Sequence, residues 1–225
     1  MSTIIETQDG SHTLYSSRFG ESYHSRYGAI QESRHVFISA GLFYVIPLRK
    51  EIRILEMGFG SGLNAFLSLL EAKKREVHLW YDAVEAYPIA TDDAIALNYP
   101  AQVVEPDARE NFMALHLNNW EEWHAITPFF NLRKRHMPIE QLDEEEQYDL
   151  VYYDAFAPSA QPELWVSPVL ARIYRALKPG GVLVTYCAKG IVKRTLSELG
   201  FHVEALPGPP GKREMTRAIK NDRLI

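Results

Sequence analysis

The 225-residue chain has a single cysteine, Cys187, and a lone thiol builds neither an intrachain disulfide framework nor a cysteine-rich metal site. Cys187 is expected to pack in the core, in a protein of a reducing, cytoplasmic compartment. No run of about 18 apolar residues occurs, and Met1-Ser-Thr-Ile-Ile-Glu-Thr-Gln-Asp-Gly10 has no basic stretch leading into an apolar one. Neither a membrane partner nor an export signal is expected. The eight histidines show no ligand spacing, so no metal site is expected, and His24, His35, His116 and His136 read as surface or structural groups. An excess of positive charge is also missing. The formal net charge is −5 and the pI near 5.9, which excludes indiscriminate coating of nucleic acid.

What is present is ordinary globular material, 46% hydrophobic and 24% charged, which excludes a disordered or fibrous chain. At roughly 150 residues per domain, one large domain or one domain with an extension is expected. The first 50 residues are polar and aromatic, ending in a helix expected over 36–48 and stopped at Pro47. From about residue 52 the rhythm changes to a short buried strand (52–55), a glycine turn (58–64), a helix (65–72), a strand (77–84) and a helix (91–97). Strand, turn, helix, strand is the pattern of a parallel α/β sheet. Between residues 100 and 148 the pattern blurs: Trp120 and Trp123 are expected to share a helix, and the acidic run 143–146 to form a solvated turn. Then follow an apolar strand over 148–154, a Pro-rich loop, a helix (168–177), the turn Lys178-Pro-Gly-Gly181, a strand (182–186) and a helix (191–199) capped at Gly200. The tail reads as two strands around Pro207-Gly-Pro-Pro-Gly211.

Three places carry candidate chemistry. Glu56-Met-Gly-Phe-Gly-Ser-Gly-Leu-Asn64 follows a buried strand, where glycines let the backbone approach a ligand and the next helix offers free N–H groups. A dinucleotide fingerprint wants Gly or Ala after two further residues. Here Leu63 follows Gly62, so the acid-x-Gly-x-Gly-x-Gly order resembles the nucleotide loop of class I methyltransferases. Glu85 ends the second strand, 27 residues after Gly58, where a carboxylate can accept both hydroxyls of a ribose. Asp154 ends the 148–154 strand and points into the crevice at the carboxyl ends of the strands, where ligands of such sheets bind.

Together these segments resemble the methyltransferase domain of the MnmC-type enzymes, which act on the wobble uridine of tRNA. The resemblance runs through Tyr23-His-Ser-Arg-Tyr-Gly-Ala-Ile-Gln-Glu-Ser-Arg-His-Val-Phe37, Gly58 to Asn64, Asp154-Ala-Phe-Ala-Pro-Ser-Ala-Gln-Pro-Glu-Leu-Trp165, Lys178 to Gly181 and Gly211-Lys-Arg-Glu-Met215. It implies a class I, Rossmann-like fold: a seven-stranded, mostly parallel sheet with helices on both faces. An N-terminal extension (1–50) would close the active site of a methyltransferase domain (51–225). It implies S-adenosyl-L-methionine as cofactor, held by Glu56, Gly58, Gly60, Gly62, Asn64, Glu85, Glu32 and Ser33. The acceptor would be the amine of 5-aminomethyl-(2-thio)uridine in tRNA, giving the 5-methylaminomethyl product. Asp154 and Phe156 would serve the reaction, and Tyr23, Ser25, Lys212 and Arg213 would bind the substrate. Long family members add a flavin-dependent oxidase. A chain ending at Ile225 has no room for it or its flavin and would rely on other enzymes to install the aminomethyl group. The residue facing the adenine amine is left open around Arg135-His-Met-Pro-Ile139. A methyltransferase or aminopropyltransferase acting on a small amine is the alternative, since it shares the sheet and the Asp beside a neutral amine.

Charge is unevenly spread. From Lys178 to Ile225 there are nine Lys or Arg and four acids, a net of +5, so the rest of the chain carries −10. A basic end on an acidic body suits a protein that grips a phosphate backbone on one face.

Overall fold

Two sheets organise the chain in a computed structural model that describes residues 3–221. Met1, Ser2 and residues 222–225, including Asp222 and Arg223 of the basic end, lie outside the described residues. The first sheet is small and antiparallel, β1 (Thr3–Glu6), β2 (His12–Ser16) and β3 (Glu21–Ser22). A helical passage, α1, follows through Ala29–Ser33, the π-helical Arg34–Leu42, Phe43–Val45 and Ile46–Leu48. It starts earlier than the expected residue 36, and Pro47 sits inside its final 3-10 turn, where a missing N–H costs little. Gly41 lets this passage lie directly on the main sheet: a Cβ there would meet a Val184 methyl at 2.9 Å and the Tyr152 ring at 3.2 Å.

The main sheet has eight strands. They are β4 (Glu51–Met57), β5 (His78–Val84), β6 (His124–Thr127), β7 (Phe130–Arg135), β8 (Tyr148–Tyr153), β9 (Leu177–Thr185), β10 (Phe201–Pro207) and β11 (Glu214–Lys220). Their order is β10-β11-β9-β8-β4-β5-β7-β6. The five inner strands β7, β5, β4, β8 and β9 run parallel, β6 and β11 run against them, and β10, antiparallel to β11, points the same way as the inner five. One strand more than expected is present, because β6 folds back on β7 as a hairpin edge. Helices α2 (Leu63–Arg75), α3 (Thr91–Ile95), α4 (Ala108–Leu117), α5 (Ser167–Ala176) and α6 (Gly190–Glu198) complete the fold.

Parallel strands covered on both faces are apolar at successive positions. Ile54, Tyr152 and Val184 turn to a core shared with Phe37, Leu67 and Phe112 of α1, α2 and α4. Their neighbours Leu55, Val151 and Leu183 turn the other way, to Leu170, Ile173 and Leu196 of α5 and α6. The chain leaves β4 for β5 on one side and later returns to β8 on the other, which opens a crevice beyond the carboxyl ends of β4 and β8.

Three local expectations need correction. Trp120 and Trp123 share no helix: α4 ends at Leu117, and Glu121 takes a left-handed φ of 70° while its N–H donates to the Lys134 carbonyl at 2.7 Å. That backbone bond replaces a helical one. Trp120 packs on Phe59 and Trp123 on Trp80. The expected turn Lys178 to Gly181 is absorbed into β9 as a bulge, because the register jumps from Tyr148↔Leu177 to Leu150↔Val182. Lys178 anchors it by donating to both oxygens of Asp149 at 3.0 Å. Finally, the acidic run is tethered as well as solvated, with Glu144 on Arg135 at 2.5 Å and Glu146 near Lys220 at 3.7 Å.

Candidate active site

Register sets the site. Met57 pairs with Val84 on one side and Tyr153 on the other, so the residues that follow, Gly58, Glu85 and Asp154, leave the sheet side by side. Backbone bonds hold them there: Gly58 N–H to the Val84 carbonyl at 2.9 Å, and Asp154 N–H to the Met57 carbonyl at 3.2 Å. Gly58, Gly60 and Gly62 all have positive φ (88°, 48° and 71°), as a tight strand-to-helix turn demands. A Cβ on Gly58 would meet the Asp154 carbonyl at 3.1 Å.

Two cavities meet at Asp154. The first, about 150 Å³, runs along Gly58, Glu85 and Tyr87 between the apolar walls Met57, Val84, Ile139 and Leu164. Glu85 accepts the Gly60 N–H at 3.0 Å and the Tyr87 N–H at 2.8 Å; burial pushes its pKa up against those bonds. The second cavity, about 240 Å³, is lined by Glu21, Tyr23, Ser25, Glu32, Tyr186 and Lys212 among others. Asp154, Tyr23 and Phe156 face both.

Asp154 is held by a buried relay. Asn64 Nδ2 donates to Asp154 Oδ2 at 2.8 Å and to Glu56 Oε1 at 2.9 Å, while Ser33 Oγ donates to Asn64 Oδ1 at 2.5 Å. Burial, reinforced by the nearby Glu32, raises the Asp154 pKa to about 7, against the pull of Asn64 and Lys212. Burial also lifts the fully enclosed Glu56 well above the usual carboxylate range. The following loop is pinned from outside: Trp165 Nε1 donates to the Phe156 carbonyl and Tyr186 Oη to the Ala155 carbonyl, each at 2.8 Å. Tyr153 Oη donates to the Leu164 carbonyl.

The N-terminal residues pack over this crevice. The Tyr23 ring would lie 3.0 Å from a Cβ on Gly60, and its centre is 5.0 Å from that of Phe156. Phe19 stacks on Phe156 at 4.7 Å. His24 shares a 2.8 Å hydrogen bond with Ser61 Oγ, and burial pushes its pKa down to about 4.

Of the residues singled out from sequence, Gly58, Glu85, Asp154, Phe156 and Tyr23 meet at the first cavity. Glu56, Asn64 and Ser33 stand beneath it as supports for Asp154, with the three polar atoms of Asn64 and Ser33 already engaged. Glu32 belongs to the second cavity, where it pairs with Lys212 at 2.7 Å. Lys212 therefore points inward, whereas Arg213 is 92% exposed. The stretch around Arg135 to Ile139, where the adenine contact was left open, supplies Met137 to Ile139 and, just beyond it, Glu140 to the wall of the first cavity; sequence reasoning missed Gln161 and Leu164 there and Tyr186, which walls the second. Tyr186 was findable, since it ends the expected strand 182–186. Met137 to Glu140 follow β7 in an irregular stretch with no periodicity to flag them.

A glycine loop with close backbone approach, a carboxylate at the next strand end and apolar walls for a flat ring fit S-adenosyl-L-methionine. This is a class I methyltransferase site. Residues 131–221 match a family model described as S-adenosyl-L-methionine-dependent methyltransferase. The chain is 33% identical over 231 residues to the tRNA 5-methylaminomethyl-2-thiouridine biosynthesis bifunctional protein MnmC of Aromatoleum aromaticum, spanning 96% of this chain and 35% of that one. A second such protein, from Delftia acidovorans, is 31% identical over 92% of this chain and 33% of its own length. The chain thus spans about a third of the curated relatives it matches. The crystal structure of MNMC2 from Aquifex aeolicus superposes with a TM-score of 0.78 at 27% identity, covering 99% of this chain and 71% of that one. The chain is thus a class I, S-adenosyl-L-methionine-dependent methyltransferase that is similar over nearly its whole length to MnmC-type proteins.

Proposed function

We propose that this chain transfers the methyl group of S-adenosyl-L-methionine to the primary amine of 5-aminomethyl-(2-thio)uridine at the wobble position of tRNA, in the cytoplasm. The observation that carries this reading is the position of Asp154 at the junction of two cavities, one suited to the cofactor and one open to an acceptor. The relatives named for 5-methylaminomethyl-2-thiouridine biosynthesis supply the acceptor.

When bound, the cofactor supplies an electrophilic methyl on a sulfonium. Glu85 would hold its ribose hydroxyls, the glycine loop would pass along its chain, and Met57, Val84, Ile139 and Leu164 would sandwich its adenine. Asp154 accepts a hydrogen bond from the acceptor amine and aims its lone pair along the line of displacement. Such positioning and exclusion of water are the main contributions an enzyme makes to this reaction. Ser33, Asn64 and Glu56 fix Asp154, and Tyr23 and Phe156 pack on the uracil. The amine held by Asp154 would take up the methyl, leaving the sulfonium as a neutral thioether, and the resulting secondary ammonium would pass its proton to Asp154 or to water. Residues 1–50 act as the cover of the site and 51–225 as the methyltransferase unit.

The test combines calorimetric titration with S-adenosyl-L-methionine and NADH with mass spectrometry of tRNA carrying 5-aminomethyl-2-thiouridine. Binding of the first ligand alone and gain of one methyl on that nucleoside are expected. An unmodified nucleoside, with methylation of free small amines instead, would overturn the reading.

A further inference from the structure

The second cavity contains a charge arrangement that the methyl transfer itself does not require. Glu32, buried near the head of α1, accepts the Ser25 N–H at 2.8 Å through Oε2 and the Lys212 ammonium at 2.7 Å through Oε1. Lys212 reaches it from the loop between β10 and β11, 180 residues away, and lies 3.8 Å from the centre of the Tyr186 ring. Asp154 and Glu21 line the same space. A primary amine entering it would meet three carboxylates and one ammonium.

Carboxylates around an amine favour its protonated form, and an ammonium has no lone pair with which to attack. A fixed positive charge beside the amine has the opposite effect, as it does for nucleophilic lysines set next to another cation. We propose that Lys212, paired with Glu32, keeps the acceptor amine unprotonated by offsetting the carboxylates of its pocket. The inference rests on the amine-acceptor reading above and gives Lys212 a charge-setting task in place of a phosphate contact.

The other groups facing this space leave the assignment to Lys212. From the N-terminal segment, His24 is neutral because burial lowers its pKa to about 4, and Tyr23 is neutral because burial raises its pKa to about 12. At the end of β9, burial raises both Tyr186 and Cys187. Beneath Asp154, burial raises the Glu56 pKa well above the usual carboxylate range. On the lysine's own loop Arg213 faces solvent, and Glu214 is engaged by Lys193 at 2.7 Å. Lys189 lies further out along the trough that continues from Tyr186 and Lys212. Asp154, raised to about 7, is left to titrate near neutrality, and among the described residues lining this cavity Lys212 is the cation.

The experiment is the pH dependence of kcat on tRNA bearing 5-aminomethyl-2-thiouridine, with calorimetric S-adenosyl-L-methionine affinity measured alongside. Lys212→Gln is expected to move the rising limb upward by about one pH unit, a roughly tenfold loss below the limb that fades at alkaline pH. Lys212→Arg should keep the wild-type limb, and the double variant Glu32→Gln with Lys212→Gln should return most of the shift. Glu32→Gln alone, which leaves the lysine uncompensated, should move the limb downward and serves as the reverse arm if Lys212→Gln folds poorly. A loss of kcat that is equal at every pH, an arginine variant that behaves like glutamine, or an unmoved limb in Glu32→Gln would overturn the proposal. Failure of the wild-type protein to methylate this nucleoside would instead overturn the amine-acceptor reading.

Discussion

Asp154, proposed above to position the acceptor amine, is a buried carboxylate held at some expense to the fold. Its pKa of about 7 lies above the ordinary 3.8 because the folded protein buries it. The folded state therefore holds a proton that the unfolded state has released between about pH 4 and 7, so stability contributed here falls as pH rises through that window. Asp154→Asn keeps an oxygen for Asn64 and removes the titration. It is expected to raise Tm at pH 8 and to give no gain near pH 4, while losing most turnover and leaving cofactor affinity intact. Thermal melts at the two pH values check the stability arm. Equal Tm differences at both would show that the carboxylate is not held under strain. In the proposed mechanism the ionised carboxylate is the full acceptor, so wild-type activity is expected to rise as pH passes about 7, with Asp154 and the acceptor amine both contributing to that limb.

The loop after β8 is where an element turns sequence into site geometry. Trp165 and Tyr186 each donate a 2.8 Å hydrogen bond to its carbonyls, fixing Phe156 and Ala155 in the wall of the first cavity. Trp165→Phe leaves the ring volume largely filled but removes the donor to the Phe156 carbonyl. A loss of about 1 kcal/mol in stability and about tenfold in kcat is expected, read by urea unfolding and steady-state rates. A full-rate variant would show that the loop holds its shape without that bond. Elements of this kind were also the legible part of the sequence. Gly58, Glu85 and Asp154 could be found because each follows an apolar strand, and parallel strands in aligned register bring their ends together. The Glu32–Lys212 pair joins residues 180 apart through no periodic pattern. The fate of Asn64, beside the glycine loop yet turned toward Asp154, depends on side-chain packing that spacing cannot convey. Trp120 and Trp123 misled because an i, i+3 pair looks helical, whereas a backbone bond from Glu121 to Lys134 made a turn there.

At the scale of the whole molecule, the basic carboxyl-terminal region proves less free than its net charge suggests. Lys178, Lys193, Lys212, Arg217 and Lys220 are each paired with a carboxylate of Asp149, Glu214, Glu32, Glu204 or Glu146. Lys189 and Arg194 remain exposed, as does Arg213, whose guanidinium lies 3.6 Å from Glu214. Lys189 and Arg213 flank the trough that leads out from Tyr186 and Lys212, so a phosphate backbone entering the acceptor cavity would pass between them. Each side chain that stops neutralising a phosphate takes nearly one unit off the slope of log affinity against log salt concentration. The charge reversals Lys189→Glu and Arg213→Glu together are therefore expected to weaken tRNA binding and to flatten that slope by about two units, with S-adenosyl-L-methionine binding unchanged. Filter-binding titrations across a salt series measure both quantities. A weakened affinity with an unaltered slope would mean that these side chains shape the trough without meeting phosphate, and unchanged binding would place the tRNA on another face.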